Sequence, residues 1–347
     1  TKSRSTPRAA AFVNAVLRQA AAGHAKVEFP AFNQAPVACL AAEHSLPEWL
    51  VEAWLKRYGP QDTRALCAAV NLIPPLTLRA NTLKTSRSEL MQALKGQAET
   101  VEAAAIAPDA VIVRSLRTKL TELAAFREGR FQVQDEAAQL VSVLLAPRPG
   151  ETVLDLCAGR GGKTGHIAQL MGNRGTIVAV DSNAARLAQL REEMRRLGVT
   201  IAAAEHSDAA GRPADAMSGR FDRVLLDAPC SGLGTLGRNP DIRWSSSKRE
   251  LRALSGLQAR LLEHAAGCVK PGGIIVYSVC SPEPEETEAV IKAFLAKDRS
   301  FRTENRTDDL PRSVRPLVGS TGCLQTYPHL RYMDGFFAVR LRHKCKH

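Results

Sequence analysis

Hydrophobic residues from position 152 onwards recur in two alternating patterns. Short apolar runs typical of buried strands fall at 152–156, 176–180, 200–204, 223–226 and 274–279. Apolar residues at helical spacing predict helices at 163–171, 184–197, 248–269 and 285–296. Strands and helices that alternate in this way build a parallel sheet with helices on both faces. We therefore predict an α/β domain over 131–347.

The first segment, 1–44, contains an amphipathic helix. One face of this predicted helix carries Phe12, Val13, Val16 and Leu17. A helix of this length cannot bury such a face alone, so we expect it to dock on a neighbouring domain. Because the sequence begins with Thr rather than Met, we expect it to be part of a longer protein.

The second segment, 45–130, has mixed patterning. It begins with an amphipathic helix that we expect Ser45 to cap, with Trp49 and Trp54 in the core. Further along, β-like runs at 76–81 and 110–114 flank a predicted helix at 87–95. This pattern indicates a small α/β module.

The composition excludes several classes of protein. Of the 347 residues, 45% are hydrophobic and 24% charged, which excludes wholesale disorder. No apolar run approaches the roughly 20 residues of a membrane-spanning helix, so we expect a soluble, cytoplasmic protein with no membrane partner. The eight cysteines form no CxxC pair, which argues against a bound metal and suits a reducing compartment. The net charge of +12 favours polyanionic partners.

The first predicted strand leads into a glycine-rich turn. Ligands of parallel sheets bind beyond the carboxyl ends of the strands, and glycines there let the backbone approach a ligand. A P-loop is a rival interpretation, but Cys157 replaces its first glycine. Asp181 ends the second strand, where a carboxylate can accept ribose hydroxyls or cap a helix, and Asp208 follows the third strand, where it could meet an adenine amino group. Together these features favour an adenosine-containing cofactor, either a dinucleotide or S-adenosylmethionine.

Two further strand ends carry thiols. Asp227-Ala-Pro-Cys230 follows one strand, and Cys280 follows another. A lone cysteine is usually a small buried hydrophobe, but two at neighbouring strand ends beside a cofactor turn indicate chemistry. A thiolate that adds to C6 of a cytosine activates C5 toward an electrophilic methyl group. Asp227, if burial raises its pKa, could protonate N3, and the second thiol could remove the C5 proton. The residues alone do not order the two thiols.

These motifs together resemble the Sun-type (Nol/Nop/Sun) family of RNA cytosine-5 methyltransferases. The resemblance rests on the stretches 153–164, 226–234, 238–244, 277–286 and 334–341, with Asp181, Arg186 and Asp208. Upstream, 75–84 is similar to the small RNA-binding module of the family, and 10–18 to the last helix of a NusB-like domain. The resemblance implies a Rossmann-like methyltransferase domain preceded by a small α/β RNA-binding module and by a remnant of a helical NusB-like domain.

The resemblance also implies roles for individual residues. Cys280 would be the nucleophile and Cys230 the base that releases the product, while Asp227 completes the catalytic set. S-adenosylmethionine would be held by Cys157, Ala158, Gly159, Arg160, Gly161, Gly162, Lys163, Asp181, Arg186, Asp208 and Asp227. The substrate implied is a cytidine of small-subunit (16S) ribosomal RNA, met before the subunit is fully assembled, and we expect a monomer.

Two departures from the family pattern concern residues near this site. The family usually has Ala-Pro where this chain has Gly159-Arg160, and Thr where it has Val279. Neither departure touches the two cysteines. We also predict phosphate contacts in the small module from Lys84, Arg87, Arg114 and Arg117.

Three alternative functions remain open. A transfer RNA could replace ribosomal RNA as the substrate. An adenine amino-methyltransferase would share the cofactor turn and Asp181 but would need neither thiol. A non-catalytic RNA-binding assembly factor would bind RNA without consuming the cofactor.

Overall fold

The computed structural model describes residues 7–23, 29–207, 217–331 and 333–345. The chain divides into two compact units, Thr1–Cys67 and Ala68–His347. Within the described ranges, no helix is both long and apolar enough to cross a membrane.

The first unit is helical in the part that the structure describes. Its helices are α1 (Pro7–Gly23), α2 (Pro36–His44) and α3 (Glu48–Ala69), the last of which runs past the boundary of the unit. Trp54 is fully buried, as predicted, whereas Trp49 is only half-buried. Ser45 was expected to cap α3, but it ends α2 in the left-handed conformation, with φ of 52°.

The second unit begins with a small antiparallel sheet. Its elements are β1 (Leu76–Ala80), α4 (Arg87–Leu94), β2 (Ala98–Ala103), β3 (Ala110–Leu116), α5 (Ala124–Arg127) and β4 (Phe131–Val133). The strand order is β2-β3-β1-β4. A capping box of Ser86 and Glu89 starts α4, which packs Leu90 and Leu94 on the sheet. The last strand, β4, lies just beyond the predicted end of the module at residue 130.

The rest of the second unit is a doubly covered sheet. Its elements are α6 (Glu136–Leu145), β5 (Thr152–Leu156), α7 (Gly162–Leu170), β6 (Thr176–Asp181), α8 (Ala184–Leu197), β7 (Ala202–His206), β8 (Phe221–Asp227), α9 (Ile242–Ser245), α10 (Lys248–Cys268), β9 (Val269–Val279), α11 (Glu288–Lys297), β10 (Phe301–Thr303), β11 (Cys323–Gln325), α12 (Pro328–Arg331) and β12 (Phe337–His343). The strand order is β10-β12-β9-β8-β5-β6-β7, with β11 paired to β12.

The five strands predicted from the apolar runs all pair in parallel, with one register shift between Phe221 and Arg223 of β8. The third strand lies two residues later than predicted, at Ala202–His206. The predicted α/β class with a Rossmann-like sheet is thus what the structure shows. The antiparallel strands β10, β11 and β12 were not predicted. The predicted helix at 285–296 begins later, at Glu288, because 284–286 forms a separate 3₁₀ turn.

Candidate active site

The register of the sheet brings four strand ends to one edge. Leu156 of β5 lies opposite both Val180 of β6 and Leu226 of β8. Asp227, which ends β8, lies opposite Ser278 of β9. The turns that leave these strands therefore meet above the same edge, as the sequence predicted.

A cavity of about 730 Å³ opens at this edge. Its lining includes these predicted residues: Cys157, Ala158, Gly159, Arg160, Gly162, Lys163, Asp181, Arg186, Asp227, Cys230 and Cys280. Gly161 is adjacent but does not line the cavity. Asp208 lies outside the described residues. The structure thus brings the two predicted sets, cofactor-binding and catalytic, into one cavity.

The glycine-rich turn needs its glycines for two reasons. Gly159 and Gly161 have φ of 57° and 82°, values that side chains with a Cβ disfavour. A Cβ on Gly161 would also lie 2.8 Å from Cγ of Leu190 and 3.0 Å from Cε of Met194 in α8. Gly161 thus allows α8 to pack closely against the start of α7.

Asp181 fixes the turn to the end of β6. Its Oδ2 accepts a hydrogen bond from the Gly159 N–H at 2.9 Å, and its Oδ1 accepts from the Asn183 N–H at 2.8 Å. The helix N-cap of α8 is Asn183, whose side chain accepts from the Arg186 N–H. Asp181 is therefore not the helix cap that was its alternative interpretation.

Asp155 is a functional candidate that the sequence reasoning missed. It is buried within β5, and its Oδ2 accepts a hydrogen bond from the Thr164 hydroxyl at 2.6 Å. Its Oδ1 has no hydrogen-bond partner among the described residues, although it is buried and the side chain lines the cavity. Burial raises the pKa of Asp155 to about 7. The signal for it was available, since an acid in an apolar strand is unusual.

The two predicted catalytic thiols are in contact. Sγ of Cys230 lies 3.2 Å from Sγ of Cys280, which is within hydrogen-bond distance for sulfur. The hydrogen bond with Cys280, burial, and the charges of Cys280 and Glu286 raise the pKa of Cys230 well above the ordinary value of a thiol. Cys230 is thus held as a protonated thiol.

Asp227 forms an ion pair, and it is less buried than the sequence reasoning required. Its side chain is 31% exposed, and Oδ2 accepts a hydrogen bond from Nζ of Lys163 at 2.6 Å. Oδ1 accepts from the Ser278 hydroxyl at 2.7 Å. Burial lowers the pKa of Lys163, but the Asp227 carboxylate outweighs burial and raises it above the ordinary value. Lys163 also interacts electrostatically with Cys280, so it brings a positive charge to the thiols.

A buried glutamate braces the loop that carries Cys230. Glu286 accepts hydrogen bonds from the backbone N–H and the hydroxyl of Ser231, at 2.8 and 2.6 Å. It accepts a third from Nε2 of Gln258 at 3.1 Å, and its own carbonyl accepts one from the Tyr277 hydroxyl. Glu286 is fully buried, although it stands in an acidic run with Glu283 and Glu285.

The loop after Cys230 also contacts the C-terminal motif. The Gly234 N–H donates to the Cys280 carbonyl at 3.0 Å, and the Gly335 N–H donates to the Gly234 carbonyl at 2.7 Å. A Cβ on Gly234 would lie only 1.8 Å from the Gly335 oxygen, so no side chain fits there. Arg238 joins the same region by ion pairs with Asp135 and Asp334. The motifs at 226–244 and 334–341 are therefore parts of one structure around the thiols.

The four side chains predicted to contact phosphate differ in whether hydrogen bonds within the protein already use their donor groups. Nζ of Lys84 donates to the carbonyls of Glu128 and Arg196, and the Arg87 guanidinium to that of Ala104. Arg114 and Arg117 are exposed side chains. The last two are the better placed for a polyanion, and all four contacts stay predictions.

Comparison with known proteins identifies the family. The family model described as "16S rRNA methyltransferase RsmB/F" matches residues 142–342, and a "Methyltr_RsmF/B-like, ferredoxin-like domain" model matches 46–117. The chain belongs to the RsmB/F family of methyltransferases. The resemblance to Sun-type methyltransferases is thereby confirmed, and the chain is an enzyme of that class. No finding tests the NusB-like remnant, which stays a prediction.

Individual relatives agree with this RsmB/F assignment. The chain is 38% identical to the probable ribosomal RNA small subunit methyltransferase B of Bacillus subtilis, over 96% of this chain and 74% of that protein. It is 33% identical to a mouse 28S rRNA (cytosine-C(5))-methyltransferase, over 87% of this chain and 39% of that protein. A crystal structure of a methyltransferase homologue from Pyrococcus horikoshii matches with a TM-score of 0.74 and 28% identity, over 89% of this chain and 99% of the other.

Proposed function

We propose that this chain methylates C5 of a cytidine in 16S ribosomal RNA, with S-adenosylmethionine as methyl donor and Cys280 as nucleophile. The observation that carries the proposal is the contact between the two sulfurs, 3.2 Å apart, in a cavity that also contains the predicted cofactor turn. Cytosine-C5 transfer needs a nucleophile and a base at adjacent ring atoms, and the paired thiols meet that need. The substrate is 16S RNA before the small subunit is complete, because a buried base must be extruded to enter such a cavity.

The donor groups of the cavity suit S-adenosylmethionine. A carboxylate offers about four acceptor positions, so Asp181 can still accept ribose hydroxyls after two backbone hydrogen bonds. The unpartnered Oδ1 of Asp155 is a buried acceptor that an ammonium group would satisfy. Arg160 and Arg186 are exposed cations of the same lining, suited to a carboxylate. When bound, S-adenosylmethionine supplies the electrophilic methyl group.

The Lys163–Asp227 pair handles the proton of the first step. As the Cys280 thiolate adds to C6, electron density builds on the ring, and N3 must accept a proton. Both oxygens of Asp227 already accept hydrogen bonds, and the available proton lies on Nζ of Lys163, 2.6 Å from Oδ2. We therefore assign Lys163 as the proton source and Asp227 as the group that orients it.

Cys230 becomes a base only after Cys280 has reacted. Its pKa is raised first by the hydrogen bond with Cys280 and also by the charge of that residue. When Cys280 becomes a thioether to C6, both effects end and the pKa of Cys230 falls. Cys230 then gives up its own proton to solvent. As a thiolate it takes the C5 proton, the C6–S bond breaks, Cys280 leaves as thiolate, and N3 returns its proton to Lys163. The raised pKa of Cys230 supports the proposed order, in which Cys280 attacks first and Cys230 acts second.

A trapping experiment tests this proposal. Wild type, Cys280→Ala and Cys230→Ala are incubated with S-adenosylmethionine and 16S RNA, and protein–RNA adducts are resolved on denaturing gels. Cys230→Ala should accumulate an adduct because the C5 proton cannot leave, whereas Cys280→Ala should form none. Cys345→Ala, which changes an exposed cysteine outside the cavity, should match wild type. Sequencing the trapped RNA identifies the cytidine.

Other outcomes point to the alternative functions. Methylation by Cys280→Ala at wild-type rate would favour an adenine amino-methyltransferase. RNA binding without methyl incorporation by any variant would favour an assembly factor. A preference for transfer RNA over 16S RNA under the same conditions would redirect the substrate assignment.

A further inference from the structure

A second cavity lies next to the nucleophile loop, separate from the first. Its volume is about 310 Å³, and much of its lining comes from the apolar segment that leads into β1, including Val70, Leu72, Ile73 and Pro74. The opposite lining includes Gly234, Gly237 and Met333, and Arg114 of β3 adds a cation. The lining of the cavity thus comes from two parts of the second unit, the small antiparallel sheet with the segment before it and the larger, mostly parallel sheet domain.

The position of this cavity is fixed relative to the thiols. Gly234 lines it, and the N–H of Gly234 donates to the carbonyl of Cys280. The facing segment is held by Arg238, which donates to the carbonyl of Pro75 at 3.3 Å, and by Arg243, which donates to Oδ1 of Asn71 at 2.9 Å. One backbone hydrogen bond therefore separates the lining of this cavity from the residue that attacks the target base.

The chemistry of the cavity suits a nucleotide. Ile73 is 94% exposed and Leu72 is 55% exposed, so apolar surface stands open to the solvent. Apolar surface of this kind binds the flat face of a nucleobase, and the exposed Arg114 can meet the adjoining phosphate. The volume is at the lower end of ligand pockets, about 300 Å³, and accommodates one planar heterocycle.

We propose that this second cavity binds the base of a nucleotide that flanks the target cytidine. The proposal rests on the proposed function, because it takes the RNA to be the substrate whose cytidine reaches Cys280. Extruding a base costs unstacking energy. A second base held beside the first would oppose its return to the stack and would fix the register of the RNA. Ile73, Leu72 and Arg114 are then residues that determine which RNA is methylated.

An abasic scan tests the proposal. Four versions of a 16S RNA fragment that wild type methylates are synthesised. Each carries one abasic nucleotide, placed one or two positions before or after the mapped cytidine. For wild type, one of these positions should raise the KM for RNA about tenfold, within the range measured for single base contacts. For Ile73→Ala, the KM for the intact fragment should already be higher than that of wild type. The same abasic site should then raise the KM of this variant less than threefold further. Arg114→Gln should raise KM for all fragments.

Leu330→Ala provides the matched control. Leu330 is also an exposed apolar side chain, at 63%, but it lines neither cavity. In this variant the abasic site should therefore still raise the KM for RNA about tenfold, as in wild type. The proposal is overturned if no single abasic position raises the KM of wild type for RNA. It is also overturned if Ile73→Ala raises that KM by the same factor for every fragment, intact or abasic, as it would if a protein segment rather than a base filled the cavity. If wild type methylates no RNA at all, the proposed function fails first, and this proposal fails with it.

Discussion

The protonation state of Cys230 depends more on its neighbour Cys280 than on burial. A hydrogen bond with Cys280 is the largest cause of its raised pKa, ahead of burial. A group controlled in this way changes its acidity when the partner is consumed. Under the proposed order of action, the same residue is an inert thiol in the free enzyme and a base in the adduct.

Removing the Cys280 sulfur should thus make Cys230 more acidic. In Cys280→Ala, the midpoint of the pH dependence for alkylation of Cys230 by iodoacetamide should lie at lower pH than in wild type, because only burial and Glu286 still raise its pKa. Mass spectrometry of the alkylated peptide gives the rate at each pH. Cys280→Ser keeps a hydrogen-bonding atom and should give an intermediate midpoint. An unchanged or higher midpoint in Cys280→Ala would contradict the proposed order of action.

A ligand ammonium group that binds beside Asp155 should displace the proton of this carboxyl. Its pKa of about 7 leaves it about half protonated at neutral pH, and a bound ammonium group would lower that pKa. Binding of S-adenosylhomocysteine should therefore release a proton at pH 6 and almost none at pH 8.5, where the carboxyl is already ionised. Calorimetry in two buffers that both have capacity at the chosen pH but differ in ionisation enthalpy, phosphate and bis-Tris at pH 6, measures the release as a difference in apparent enthalpy. Asp155→Asn should abolish that difference, and equal enthalpies for wild type at pH 6 would refute the contact.

The catalytic candidates at strand ends could be predicted from the sequence, but their partners could not. Cys230, Cys280 and Asp181 follow apolar runs, so the parallel arrangement alone brings them to one edge. Glu286 stands in an acidic run that looks solvated, and only the packing of 284–286 against Ser231 shows that it is buried. The pairing of Lys163 with Asp227 depends in the same way on tertiary structure.

Among the elements, α7 shows how a glycine sets the distance between two helices. Gly161 precedes α7, and its missing side chain leaves room for Leu190 and Met194 of α8. Gly159, two residues earlier, also has positive φ, but a Cβ there would meet nothing closer than 4.0 Å. The two glycines therefore share a backbone requirement and differ in packing.

Alanine at these two positions should separate the two effects. Gly159→Ala should cost about 1 kcal/mol of unfolding free energy, the strain of positive φ. Gly161→Ala should cost about 1–3 kcal/mol more, because α8 must also move. Urea denaturation followed by circular dichroism gives both values. Equal losses for the two variants would show that α8 does not limit the turn.

Strand length and pairing decide which strands of this chain can be predicted from the sequence. Most of the parallel strands are buried on both faces, so they produce nearly continuous apolar runs, whereas the edge strand β7 is largely exposed. β4, β10 and β11 have three residues each, which is too short for any periodicity to register. β12 alternates apolar residues with Arg340 and Arg342, a pattern typical of a strand with one exposed face. Arg340 is nevertheless buried and paired with Asp309.

For the molecule as a whole, Arg79 links the small sheet to the cofactor turn. It lies on β1, is buried, and donates hydrogen bonds to the Gly162 carbonyl and to the side-chain oxygens of Gln132, Gln134 and Gln169. Burial lowers its pKa to about 9, so it stays charged at neutral pH. Gln134 and Gly162 both line the first cavity. The small sheet is thus mechanically connected to the cavity that contains the predicted cofactor turn.

Loss of this arginine should affect the cofactor as well as stability. Arg79→Met should lower the unfolding free energy by about 3 kcal/mol, since several buried oxygens lose their donor. It should also weaken binding of S-adenosylhomocysteine about tenfold, measured by calorimetry at a temperature where the variant is folded. Arg79→Lys should recover part of both effects, and Arg302→Met, on the exposed surface of β10, should show neither. A loss of stability with unchanged affinity would make Arg79 purely structural.

The order of the strands has a consequence for how the enzyme is made. β12 lies between β9 and β10, so the strand that presents Cys280 gains its second neighbour only from a much later part of the chain. At about 5–20 residues per second, translation leaves β9 with an open edge for a time on the order of seconds. The Gly234–Gly335 contact cannot form in that interval either. The surroundings of Cys280 are therefore complete only once synthesis has passed β12.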